Sequence, residues 1–175
     1  MPRRTFVKVG ATAAVAAFLP RSLLAAPAGE KSLAFFNTHT SERLRTVYWA
    51  AGTYVSHALR DIDHILRDPR SDEVHEIDPR LLDLLFAVSK EMNAVGPFHV
   101  ISGYRSAKSN AFLRTRSTGV AKNSLHVFGK AIDIRLPGKN TRDLHRAAIA
   151  LRRGGVGYYP KSDFVHIDVG RVRYW

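Results

Sequence analysis

Two stretches of this sequence carry metal-competent side chains at close spacing. Ser124-Leu125-His126-Val127-Phe128-Gly129-Lys130-Ala131-Ile132-Asp133 holds a histidine and an aspartate, and Asp163-Phe164-Val165-His166-Ile167-Asp168 holds a histidine between two aspartates. If each runs through a strand, alternation sets Ala131, Asp133 and Arg135 against Ile132, Ile134 and Leu136. It likewise sets Phe164, His166 and Asp168 against Val165, Ile167 and Val169. Two imidazoles and a carboxylate can then converge on one cleft. That donor set suits zinc in catalytic sites, where three protein ligands leave a fourth position for water and lower its pKa towards roughly 7. Hydroxide made this way attacks an amide, and a nearby carboxylate must take the proton and pass it to the leaving amine. Asp163 and Asp168 both qualify. Alternation favours Asp168, which shares the face of His166, whereas Asp163 has to reach round from the start of the strand.

There are no cysteines. Disulfides, thiol catalysis and thiolate-bound zinc are therefore excluded, and any metal sits on nitrogen and oxygen ligands. A chain of 175 residues with 45% hydrophobic and 24% charged residues fits one domain with a packed core. The net charge is +12. A basic surface of this kind concentrates anionic polymers without choosing among them. With no basic run and no aromatic RNA-binding motif, nucleic acid is not expected as a partner.

The elements that must position the site follow from periodicity. Ser32 to Phe36 and Leu44 to Trp49 read as two strands of a hairpin. Apolar residues recur at helical spacing from Thr53 to Leu66, and Arg67-Asp68-Pro69 ends that helix. Asp78-Pro79 is an N-cap with a first-turn proline, opening a helix striped by Leu81, Leu82, Leu85, Val88 and Met92. Phe98 to Ile101 is a strand leading into Ser102-Gly103-Tyr104-Arg105, and Ser106 to Arg116 a short polar helix. Lys130 to Leu136 is a strictly alternating strand, and Thr141 to Arg153 a further helix. Gly155 to Tyr159, Phe164 to Val169 and Val172 to Trp175 are short strands. The order predicts an α+β fold with a small, central, largely antiparallel sheet carrying the metal site and helices flanking it.

Residues 1–28 read as an export leader. The twin arginine of Pro-Arg-Arg-Thr-Phe-Val-Lys precedes an apolar run from Val9 to Leu19 and a small-x-small cleavage pattern at Ala26 and Ala28. The run is short for a membrane span. Four basic residues and no acidic ones lie in this leader, which leaves residues 29–175 with 23 basic against 15 acidic side chains, a net +8. That segment is expected to be a single monomeric domain working in the periplasm after export by the twin-arginine route.

Three separated motifs now carry a family likeness over roughly residues 32–175. Ser-x-His-x-x-Gly-x-Ala-x-Asp at Ser124 to Asp133, Phe-Val-His-x-Asp at Phe164 to Asp168 and Ser-Gly-Tyr-Arg at Ser102 to Arg105 resemble the LAS metallopeptidases. That group takes in lysostaphin-type enzymes, D-Ala-D-Ala metallopeptidases and the Sonic hedgehog signalling domain. Gly154 to Pro160 and the ending Arg-Val-Arg-Tyr-Trp look closer still to the periplasmic murein endopeptidases of the MepK-like branch. The resemblance implies a hedgehog/D-Ala-D-Ala-peptidase-like fold and Zn2+ held by His126, Asp133 and His166. It also implies Asp163 as acid and base, and Arg105 on the developing oxyanion or on a substrate carboxylate. The implied substrate is the peptide cross-link of peptidoglycan, D-Ala to meso-diaminopimelate or diaminopimelate to diaminopimelate.

Supporting roles are expected for Ser124, as a hydrogen-bonding partner of a ligand or substrate, for Asp168, as a partner of a ligand, and for Tyr158, in the substrate groove. His39, His57, His64, His75, His99 and His145 are left unassigned, since a lone histidine is more often a satisfied structural residue. Two other functions fit the same residues: a D,D-carboxypeptidase trimming terminal D-Ala, and a zinc-dependent wall-binding domain without turnover.

Overall fold

The computed structural model describes residues 29–117 and 119–175; the leader reading of residues 1–28 lies outside them. The chain opens with strands β1 (Lys31–Asn37), β2 (Arg43–Ala50) and β3 (Thr53–Tyr54). Helices α1 (Ser56–Ile65) and α2 (Pro79–Glu91) follow, then β4 (Phe98–Ser102) and α3 (Ala107–Arg116). A 3-10 turn (Leu125–Phe128) leads into β5 (Ala131–Arg135), and α4 (Thr141–Ala150), β6 (Gly155–Tyr159), β7 (Phe164–Asp168) and β8 (Arg173–Tyr174) complete the order. No helix among the described residues is long and apolar enough to cross a membrane.

The strands form one eight-stranded sheet in the order β3-β2-β1-β4-β5-β7-β6-β8. The α+β class holds, but the expected small, largely antiparallel sheet does not: the sheet is large and mixed. β1 runs parallel to β4, and β6 parallel to β8. The first of these arises because α1 and α2 carry the chain back across the sheet between β3 and β4, a crossover that allows parallel pairing. The helical pattern expected from Thr53 also starts late. Thr53 and Tyr54 pair with Ala50 and Trp49 as a third strand, and the Tyr54 hydroxyl donates to Asp83 on α2 at 2.7 Å. Those contacts hold the two residues extended, so the helix begins at Ser56.

Other signals in the chain match the structure closely. Asp78 caps α2 by accepting from the Arg80 N–H at 3.0 Å, with Pro79 in the first turn. Ser106 caps α3 by accepting from the Ser109 N–H. The core lies between the sheet and α1, α2 and α4, where Ile62, Leu82, Leu85 and Leu144 meet Phe35, Phe98, Ile132, Ile134, Val165 and Ile167. Strand alternation then sends Asp133, His166 and Asp168 to the other face. Burial of aliphatic side chains thus fixes which way the polar ones point.

Truncating the fully buried Leu85 removes contacts from the center of that core. Leu85→Ala is expected to cost about 2–5 kcal/mol, read as a lowered denaturant midpoint with an unchanged slope in equilibrium unfolding.

Candidate metal centre

Strand register brings the site together. Asp133 on β5 lies directly opposite His166 on β7, and Ser102 on β4 directly opposite Asp133. His126 arrives on the 3-10 turn just before β5. All three side chains are buried, and their donor atoms lie within 4.8 Å of one another. His166 Nδ1 is 2.8 Å from Asp133 Oδ1 and 3.2 Å from His126 Nε2, and His126 Nε2 is 3.3 Å from Asp133 Oδ1.

The second nitrogen of each ring is fixed by an acceptor. His126 Nδ1 donates to the Gly103 carbonyl at 2.7 Å, and His166 Nε2 donates to Asp168 Oδ2 at 3.0 Å. Both rings therefore turn their remaining nitrogen towards Asp133. A small four-coordinate divalent ion bound at about 2.0–2.2 Å needs donor atoms roughly 3.3 Å apart, close to the separations found. The residues fit such an ion.

Two close packings hold this arrangement. A Cβ on Gly103 would stand 2.4 Å from the Leu66 carbonyl oxygen, so only glycine lets that segment lie close enough to offer its carbonyl to His126. A Cβ on Gly155 would meet Asp168 Oδ2 at 2.4 Å. In its place the Gly155 N–H, the Gly170 N–H and Arg173 all donate to the fully buried Asp168 carboxylate. Each partner of Asp168 restricts how far His166 can rotate.

The protonation states follow from these contacts. Burial lowers the proton affinity of His126. Burial acts the same way on His166, but hydrogen bonds to Asp133 and Asp168 outweigh it and raise its pKa to about 9. Burial also disfavours the Asp133 carboxylate, yet His126 and His166 hold its pKa well below the ordinary range. Asp168 is held low in the same way, burial being outweighed by His166, Arg173 and the Gly170 N–H. These shifts favour a proton on His166 Nδ1, 2.8 Å from Asp133 Oδ1, when no metal is bound.

An open cleft of about 450 Å3 leads to the donor atoms, and Arg105 and Ser124 line it. Arg105 is buried; its Nη2 donates to Asp133 Oδ2 at 3.3 Å and to Ser102 Oγ at 3.0 Å, while its Nε has no partner. Asp168 sits behind His166 rather than in the cleft.

Two expected residues are placed elsewhere. Tyr158 pairs opposite Val165 and stacks on His145 of α4, so it packs on the helix side and not in a groove. Tyr159, one residue on, stacks on Phe164 and lines the cleft instead. Asp163 precedes β7 and has a left-handed backbone at φ 51°. Its carboxylate accepts from Thr141 at the start of α4, pairs with Arg135 at 3.4 Å, and does not line the cleft. Conversely, His39, Arg70 and Trp175 do line the cleft. His39 and Arg70 stand outside helices and strands, where no periodicity could assign them a face.

Comparison with known sequences gives one consistent answer. The sequence model of the family described as peptidoglycan L,D-endopeptidase MepK matches residues 25–175. The chain is 38% identical over 175 residues to peptidoglycan L,D-endopeptidase MepK of Escherichia coli K12, covering 99% of this chain and 96% of that one. It is 40% identical over 176 residues to the probable peptidoglycan L,D-endopeptidase MepK of Haemophilus influenzae Rd, covering 99% of this chain and 95% of that one.

A metal ion must displace the proton held at His166. Calorimetric titration of the metal-free protein with zinc or cobalt, repeated in buffers of different ionisation enthalpy, should report release of about one proton per ion near pH 7.5. Affinity should rise with pH. Metal-free stability should move the opposite way: the raised pKa of His166 stabilises the fold below about 6.5, and that contribution is lost as the pH rises through about 9. Asp168→Asn should weaken metal binding by about 10–100-fold.

Proposed function

The chain belongs to the peptidoglycan L,D-endopeptidase MepK family, and from that premise we propose that it is a zinc peptidase hydrolysing peptide cross-links of the bacterial cell wall. The observation that carries the proposal is the donor trio His126 Nε2, His166 Nδ1 and Asp133 Oδ1, with both remaining ring nitrogens tied to acceptors. Zinc is the ion best suited to two imidazoles and a carboxylate at a protein site with room for water. When bound, it supplies Lewis acidity and a nucleophilic water near neutral pH.

The side chains of the cleft divide the remaining work. Asp168 holds the His166 ring, and the Gly103 carbonyl holds that of His126, so neither has to reorganise during the reaction. Arg105 steadies Asp133 through Nη2, and its positive charge beside the cleft stabilises the scissile carbonyl oxygen as negative charge builds there. Ser124 offers a hydroxyl to the peptide backbone from the cleft wall.

The resemblance gives proton transfer to Asp163, whose carboxylate accepts from Thr141, pairs with Arg135 and does not line the cleft. We assign the role to His39. It is the one imidazole lining the cleft that does not belong to the donor trio, and its Nε2 lies 3.0 Å from the Ile101 carbonyl, which fixes the ring. The hedgehog/D-Ala-D-Ala-peptidase-like fold and a periplasmic location reached by twin-arginine export complete the reading, the latter supported by the motif in residues 1–28.

Digestion of isolated cross-linked muropeptides by residues 29–175, followed by chromatography, tests this function. Dimers should become monomers, a chelator should stop the conversion and zinc should restore it. Release of free D-Ala from monomeric stems would identify a carboxypeptidase instead. His39→Ala should lower turnover by about 10²–10⁴-fold, whereas Asp163→Ala should keep most of it. Abolition by Asp163→Ala with activity retained in His39→Ala would reverse the assignment.

A further inference from the structure

The cleft is short of negative charge. Arg70, Arg105, Arg173 and His39 line it, and the one side-chain carboxylate among its lining residues is Asp133, a member of the donor trio. A bound divalent ion adds further positive charge. Three acids elsewhere in the chain are already paired with arginines. Glu42 and Asp72 pair with Arg67, and Asp168 pairs with Arg173. Among the described residues, no carboxylate forms an ion pair with Arg70.

Arg70 is nonetheless held in place. The fully buried Asp68 accepts from the Arg70 N–H through Oδ1 at 3.0 Å and from the Ser106 N–H through Oδ2 at 2.9 Å. One carboxylate therefore fixes the backbone at Arg70 and the backbone next to Arg105, and both arginines line the same cleft. Bringing two cations together costs energy that an anion between or beside them would offset.

We propose that Arg70 binds a free carboxylate of the wall peptide next to the scissile bond. The proposal rests on the cross-link reading above and names the substrate feature selected. In an amide made by the amine of diaminopimelate, the carbon bearing the scissile nitrogen also bears a carboxyl group. A guanidinium recognises such a carboxylate by paired charge-assisted hydrogen bonds, which a carboxamide does not reproduce. Arg70 thus makes the site selective for free-acid over amidated cross-links, while Arg105 attends to the scissile carbonyl.

Two synthetic cross-linked peptides test this, identical except that this carboxyl is a free acid in one and a carboxamide in the other. The zinc-loaded wild-type chain should cleave the free acid with kcat/KM about ten- to hundredfold higher, chiefly through KM. In Arg70→Gln the ratio should collapse towards one, and Arg70→Lys should keep part of it. The corresponding amine products, which are not consumed, should bind to the zinc-loaded chain with the same preference by calorimetry. Absence of the preference in the wild type, its persistence in Arg70→Gln, or an equal loss for both peptides would overturn the proposal. Failure of the wild type to cleave either peptide would overturn the endopeptidase reading, and the product-binding ratio would still decide the role of Arg70.

Discussion

His126 Nε2 and His166 Nδ1 face each other across 3.2 Å with Asp133 Oδ1 beside them. Three groups rich in lone pairs, buried together, repel unless a positive charge sits among them. The raised pKa of His166 favours a proton as that charge in the metal-free protein, and a divalent ion would satisfy all three donors at once. Much of the surrounding structure serves to hold this otherwise unfavourable convergence. The β5–β7 register sets Asp133 against His166, the Gly103 carbonyl turns His126, and the buried Asp168 turns His166.

The same constraint explains why the polar shell extends so far from the ligands. Asp168 is fully buried and carries a charge, so it requires Arg173 and two backbone N–H groups, and those require glycine at Gly155. Arg105 is drawn in by Asp133, and its neighbour Ser106 is fastened by Asp68. On the opposite face, aliphatic burial against α1, α2 and α4 supplies the rigidity that lets the donor atoms keep separations near those a metal ion requires.

Legibility in the sequence tracked locality. The capping of α2 by Asp78 and the two faces of β5 and β7 depend on neighbouring residues, and they are read directly from spacing. So was the pairing of Asp168 with a ligand, because His166 and Asp168 share a strand face. The third strand at Thr53–Tyr54 was hidden because its cause is distant: Trp49 and Asp83 hold those residues extended. The parallel pairings were hidden for the same reason, since crossover paths leave no local signature. Tyr158 and Tyr159 exchange places once the register against Val165 and Phe164 is known. Asp163 stands where a motif suggests chemistry, and its contacts with Thr141 and Arg135 come from distant parts of the chain. His39 and Arg70 reach the cleft from outside the regular elements, whose position only the assembled fold determines.

The central claim is that three named atoms form one metal site, and a crystal structure of the zinc-loaded chain with anomalous data at the zinc edge tests it most directly. The account predicts one ion bound by His126 through Nε2, His166 through Nδ1 and Asp133 through a carboxylate oxygen, at about 2.0–2.2 Å, with Asp168 still bonded to His166 Nε2. Zinc bound elsewhere, or held by His166 through Nε2 with Asp168 displaced, would contradict it.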